Sequence, residues 1–114
     1  MTTKTRTDDG IRGKTIRWTF DDGPTRGASF EHAFGRDGSV TYRMLEAGKT
    51  SPGGGDSADY GSARISDEVS VASYRSSNGW TLTVALDFAN GRLVAYASND
   101  QQWFEQRGTF EVVG

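Results

Sequence analysis

The clearest hydrophobic pattern lies in NGWTLTVALDFANGRLVAYASN, residues 78–99. Trp80, Leu82, Val84, Leu86 and Phe88 alternate with Thr81, Thr83, Ala85 and Asp87. A period of two places every second side chain on one face of a strand. Asn90-Gly91 follows, and both residue types tolerate positive φ, so the chain turns there and returns over 92–98. Similar runs recur along the chain. Ile16, Trp18 and Phe20 alternate with Thr15, Arg17 and Thr19, and Asp21-Asp22-Gly23-Pro24 ends that first strand. The second, 28–34, sets Ala28, Phe30, His32 and Phe34 on one face. Arg36-Asp37-Gly38 turns into a third, 39–46, where Val40, Tyr42 and Met44 oppose Thr41, Arg43 and Leu45. Both of its faces are mixed, so its inward side stays open. A weak fourth strand is expected at 60–65, a fifth at 69–75, and a last at 103–113 with a bend or bulge near Gly108. In the fifth, either Ser70, Ala72, Tyr74 and Ser76 face inward, or Val69 and Val71 do.

About eight strands and no sustained 3.6-residue period give an all-β chain. A small antiparallel up-and-down β-barrel is expected, with a two-sheet sandwich as the alternative. Closure would also remove exposed strand edges. KTSPGGGDSAD, 49–59, is the long interruption, because three consecutive glycines do not hold a strand unaided. It is either a tolerated surface insertion or a flap over a barrel mouth. Residues 1–12 are polar and aperiodic and are expected to form a disordered tail before a single domain at 13–114.

Composition sharpens this picture in three ways. Only 34% of the 114 residues are hydrophobic, so the aromatics, at 11%, must supply much of the burial. Few large and many small residues suit a partly hollow barrel. The net charge of −2, without a basic stripe, argues against nucleic-acid binding. With no cysteine, disulfides, thiolate metal sites and a cysteine nucleophile are excluded. No apolar run approaches the roughly 20 residues of a membrane span, and the first residues lack a signal-peptide core. A soluble, cytoplasmic protein without membrane association is expected.

The stretches GKTIRWTFDDG, SVTYRM and SDEVSVASYRSSNGWTLTVALDF, with NGRLVAYASN and RGTFE behind them, carry a resemblance. Together they resemble the calycin-like proteins related to molybdenum cofactor biosynthesis protein F and, more distantly, the bacterial phenolic acid decarboxylases. The resemblance covers about 13–113 and rests on strand-and-turn patterns. It implies a small lipocalin-like barrel with an internal cavity, often dimeric. The decarboxylases are thought to use two tyrosines of the first strand, an arginine after the third and a glutamate before the hairpin preceding the sixth. Here Trp18 and Phe20 stand at the tyrosine positions, Ser76 stands at the glutamate, and the glycine-rich stretch has no arginine. The resemblance therefore carries no decarboxylase site into this chain.

The candidate chemistry is sparse. His32, the one histidine, is a general base or ligand anchor if its face is inward, and otherwise a structural or surface histidine. A lone His falls short of a metal site, so neither metal nor cofactor is expected. Tyr42, Tyr74 and Tyr96 could point hydroxyls into a cavity, although tyrosine more commonly packs with its tip at a rim. Arg43 pairs with Glu31 across strands or, if inward, binds a ligand carboxylate. Trp80 and Trp103 are assigned to the core or a dimer interface. Three functions follow. The first is a binding protein for an apolar or aromatic small molecule, lined by Trp18, Phe20, Phe30, His32, Tyr42 and Tyr74 and entered at the glycine-rich end. The second is a cofactor-independent lyase, isomerase or cyclase with His32, Tyr42 and Tyr74 as its acid–base groups. The third is a filled barrel that dimerises or binds a partner.

Overall fold

The computed structural model describes residues 10–46, 49–50 and 56–114. The strands are β1 (Thr15–Phe20), β2 (Ser29–Phe34), β3 (Ser39–Glu46), β4 (Lys49–Thr50), β5 (Asp56–Arg64), β6 (Val69–Arg75), β7 (Thr81–Asp87), β8 (Arg92–Ser98) and β9 (Trp103–Val112). Every pairing is antiparallel. The sheet runs β2-β1-β9-β8-β7-β6-β5-β3, and β2 also pairs β3, which closes it. The result is an eight-stranded up-and-down barrel, with β4 a two-residue extension on β3. No described residue is helical, so none forms an apolar helix able to cross a membrane.

The alternation read from the sequence sets the two faces of the wall. Ile16, Trp18 and Phe20 point inward from β1, and Ser70, Ala72 and Tyr74 from β6. The open choice at β6 is thus resolved for its small face. On β3, Val40 is fully buried, Tyr42 partly so, and Met44 is exposed at the end of the wall.

Three expectations change. Residues 49–59 are not one long loop, because Asp56–Asp59 already pair with Ser39–Tyr42. Pairing to β3 supplies the support that the local sequence lacks; residues 51–55 lie outside the described residues. Of the bend or bulge expected near Gly108, the bulge is absent, since β9 keeps one register with β8 across that position and with β1 up to it. The glycine serves a close approach instead, as a Cβ there would stand 2.1 Å from the Thr19 carbonyl oxygen. Ile11 and Arg12, expected to lie within the tail, pack on the barrel instead. Ile11 is fully buried, and Gly13 N–H donates to the Phe34 carbonyl at 2.7 Å. Residues 1–9 are outside the described set.

These contacts make the barrel's two ends different. Ile11 joins Ile16, Phe34, Val40, Leu86 and Leu93 in a packed core at one end. Arg12 lies over the Tyr60 ring, 5.3 Å from its centre, and donates to the Arg36 carbonyl at 3.1 Å. The opposite end carries the β1–β2, β6–β7 and β8–β9 connections, and there the interior is not filled.

Candidate functional site

Eight strands give an interior just wide enough to be packed with side chains or to hold one small ligand. Here the packing stops partway. A recess of about 390 Å³ opens above Trp18, His32 and Tyr74. Phe20, Phe30, Tyr42, Trp80, Leu82 and Phe104 wall it. Depressions on the outer wall differ in chemistry; the one of about 300 Å³ beside Arg17, Thr19, Ser29 and Leu45 is bounded mainly by polar groups.

The floor is an aromatic and hydrogen-bonded bridge. His32 is 1% exposed and stacks on Trp18, with ring centres 3.9 Å apart and planes 21° apart. Its Nε2 is 2.7 Å from the Tyr74 hydroxyl, a bond crossing the interior from β2 to β6. Tyr42 stands opposite His32 in the register, with its ring centre 4.8 Å from that of Tyr74. The Tyr42 oxygen also accepts from Ser77 N–H at 3.4 Å. Burial lowers the His32 pKa to about 3, because a charged imidazolium would lose its hydration there. Burial, aided by the neighbouring Tyr42, raises the Tyr74 pKa above that of an ordinary phenol. Near neutral pH the pair is uncharged. It can exchange hydrogen bonds and relay a proton, but it offers no fixed charge.

The rim is held by side chains that sequence reasoning did not single out. Gln106, 4% exposed, accepts from Thr25 Oγ1 at 2.8 Å and donates to the Asp22 carbonyl at 2.9 Å. Both ends of its amide are therefore spent fastening the β1–β2 connection onto β9. Gly23, at φ +80°, rests against the same side chain; a Cβ there would be 2.5 Å from Gln106 Cγ. The inward parity of Gln106 on β9, in step with Phe104, was the available signal. Ser76 sits at the β6–β7 rim with its hydroxyl between Asn78 Oδ1 and the Trp80 carbonyl.

Six predicted site residues, Trp18, Phe20, Phe30, His32, Tyr42 and Tyr74, border one recess. Arg43 is not among them. It faces Glu31 across the outer wall, and Glu31 instead binds Arg17 on its other side at 3.1 Å. Tyr96 also points outward, 44% exposed, and donates to Glu105 at 3.0 Å. Trp80 borders the recess with Phe104, whereas Trp103 is 69% exposed beside Tyr96. Among the described residues no three His, Cys, Asp or Glu side chains gather where they could share a metal ion.

Neither a family model nor a curated protein matches this chain. Among solved structures it is similar to a Burkholderia vietnamiensis protein described as a "putative beta-lactamase". The TM-score is 0.70 at 18% identity, over 91% of this chain and 96% of that one. At that identity the likeness concerns the fold.

Proposed function

We propose that this chain binds a small apolar or aromatic molecule in the interior recess. The observation that carries the reading is the recess itself: about 390 Å³, walled by aromatic side chains, with a few polar groups at its floor and rim. Ligand pockets commonly span roughly 300–1,000 Å³ with such a lining. A calycin-like relationship to the molybdenum-cofactor-protein-F relatives and a cytoplasmic location belong to the same proposal. The name given to the B. vietnamiensis neighbour does not extend this reading toward β-lactam hydrolysis. A serine nucleophile needs a base within reach, and the hydroxyl of Ser76 is engaged by Asn78 and the Trp80 carbonyl.

Binding is tested with an uncharged fluorescent arylamine, N-phenyl-1-naphthylamine. A saturable, stoichiometric enhancement is expected, lost in Ala97→Trp, which fills the recess from β8. Binding unaffected by that substitution would place the probe elsewhere. A homodimer is part of the proposal and is read separately by sedimentation.

The His32–Tyr74 hydrogen bond favours a second reading, an isomerase, lyase or cyclase using the pair as a neutral acid–base couple. It requires His32→Ala to abolish turnover of a bound ligand while binding persists. Turnover unchanged in that variant would remove it.

A further inference from the structure

The kind of molecule that fits follows from which hydrogen bonds the recess leaves unmade; this inference rests on the binding reading above. Among the described residues, Trp18 Nε1 is buried without a partner. The Tyr42 oxygen accepts from Ser77 N–H, which leaves its own proton uncommitted. His32 Nδ1 is also buried and has no partner among the described residues. That atom decides the tautomer. A proton on Nδ1 would strand an N–H donor in an apolar wall, whereas a proton on Nε2 leaves only a bare lone pair there. Buried orphan N–H groups are rarer than under-satisfied acceptors, and a lost donor bond carries its full desolvation cost. The proton therefore belongs on Nε2, which donates to the Tyr74 oxygen. The Tyr74 O–H is then free to donate into the recess that this residue borders.

The unmet demand is thus for acceptors. Among the described residues no rim group accepts from the Tyr42 or Tyr74 hydroxyl: Gln106 Oε1 accepts from Thr25 Oγ1, and Ser76 Oγ donates to the Trp80 carbonyl. None of the described lining residues is Asp, Glu, Lys or Arg. An anion entering would lose its water with no cation to meet it.

We propose that the recess selects an uncharged aromatic compound bearing a hydrogen-bond acceptor, such as an aryl ketone, ester or amide, whose oxygen receives the Tyr74 hydroxyl proton. Tyr74 is the contact, and His32 is a positioning residue that fixes which way that hydroxyl donates.

Three naphthalenes of similar shape test this: 2-acetylnaphthalene, 2-ethylnaphthalene and 2-naphthoate, titrated by calorimetry at neutral pH. The ketone is expected to bind at least about tenfold more tightly than the carboxylate, the size of one hydrogen bond's discrimination or more. Tyr74→Phe is expected to weaken the ketone about tenfold and leave the hydrocarbon unchanged. Equal binding of ketone and carboxylate, or a ketone indifferent to Tyr74→Phe, overturns the selectivity while leaving the recess a binding site. If none of the three binds while the arylamine does, this inference falls and the binding reading stands; if the arylamine fails as well, both fall. A readout independent of any variant is the side-chain ¹⁵N spectrum of the wild-type protein, where the single histidine gives one set of ring signals. Protonated Nε2 is expected, and protonated Nδ1 overturns the proposal.

Discussion

His32 shows how one residue's setting decides its chemistry. A histidine of ordinary pKa would be partly charged near neutral pH; this one is held neutral by burial, with its pKa lowered to about 3. The consequence for stability has a definite sign. Between pH 6.5 and 3 the unfolded chain binds a proton at His32 that the folded chain refuses, so stability falls as pH drops through that window. The slope is roughly 1.4 kcal/mol per pH unit within it. Asp37, Asp87 and Glu105 have lowered pKa values, through side-chain hydrogen bonds first, and so titrate beneath the upper part of this window. Denaturant melts at pH 7, 6 and 5 should therefore show a decline in wild type that flattens in His32→Phe. An equal decline in both proteins would place the titrating group elsewhere.

Turns and loop clamps set the geometry at the scale of elements. The hairpin that dominates the sequence turns through Phe88-Ala89-Asn90-Gly91, with Gly91 at φ +69° and its N–H donating to the Asp87 carbonyl at 2.8 Å. Asp87 closes the turn by accepting from Ala89 N–H and the Asn90 amide. That chemistry is local and legible in the residue types. The β1–β2 connection is different, because its clamp, Gln106, lies more than eighty residues away in the chain. Gln106→Leu leaves the Thr25 hydroxyl and the Asp22 carbonyl without this partner. It is expected to cost ~1–3 kcal/mol and to speed amide hydrogen exchange across 21–28. Exchange there unchanged from wild type would mean that the connection is held by other contacts.

For the whole molecule, the decisive feature is the contrast between a packed end and an open one. Ile11 is 0% exposed and completes the packed end, although it lies outside every strand. Ile11→Ala should destabilise the barrel by ~2–5 kcal/mol, the usual cost of emptying such a site. The arylamine affinity should be unchanged, because the recess is at the other end. A thermal melt equal to wild type would show that Ile11 contributes nothing to closure. The outer wall carries the opposite case, Trp103 and Tyr96, whose rings stand 6.0 Å apart in solvent. Sequence alone could not separate Trp80 from Trp103, since each is a tryptophan at the edge of a strand. Their positions on the closed wall put one in the recess and the other outside.

The sequence by itself determined most strands and turns, and that Trp18 and Phe20 share one face of β1 and Phe30 and His32 one face of β2. Each follows from alternation and turn chemistry within a few residues. That the β2 face points inward came from closure. The mixed faces of β3 and β6 carried no such local signal, and their orientation depended on what stood across the barrel. Tertiary structure alone decided that Tyr74 meets His32, that Arg43 faces outward, that Gln106 holds the rim and that Ile11 fills the closed end. Those outcomes depend on closure, in which β2 pairs β3 and the ends of the chain are brought against distant strands. A pattern with a period of two fixes which way a side chain points, but not which side chain it meets.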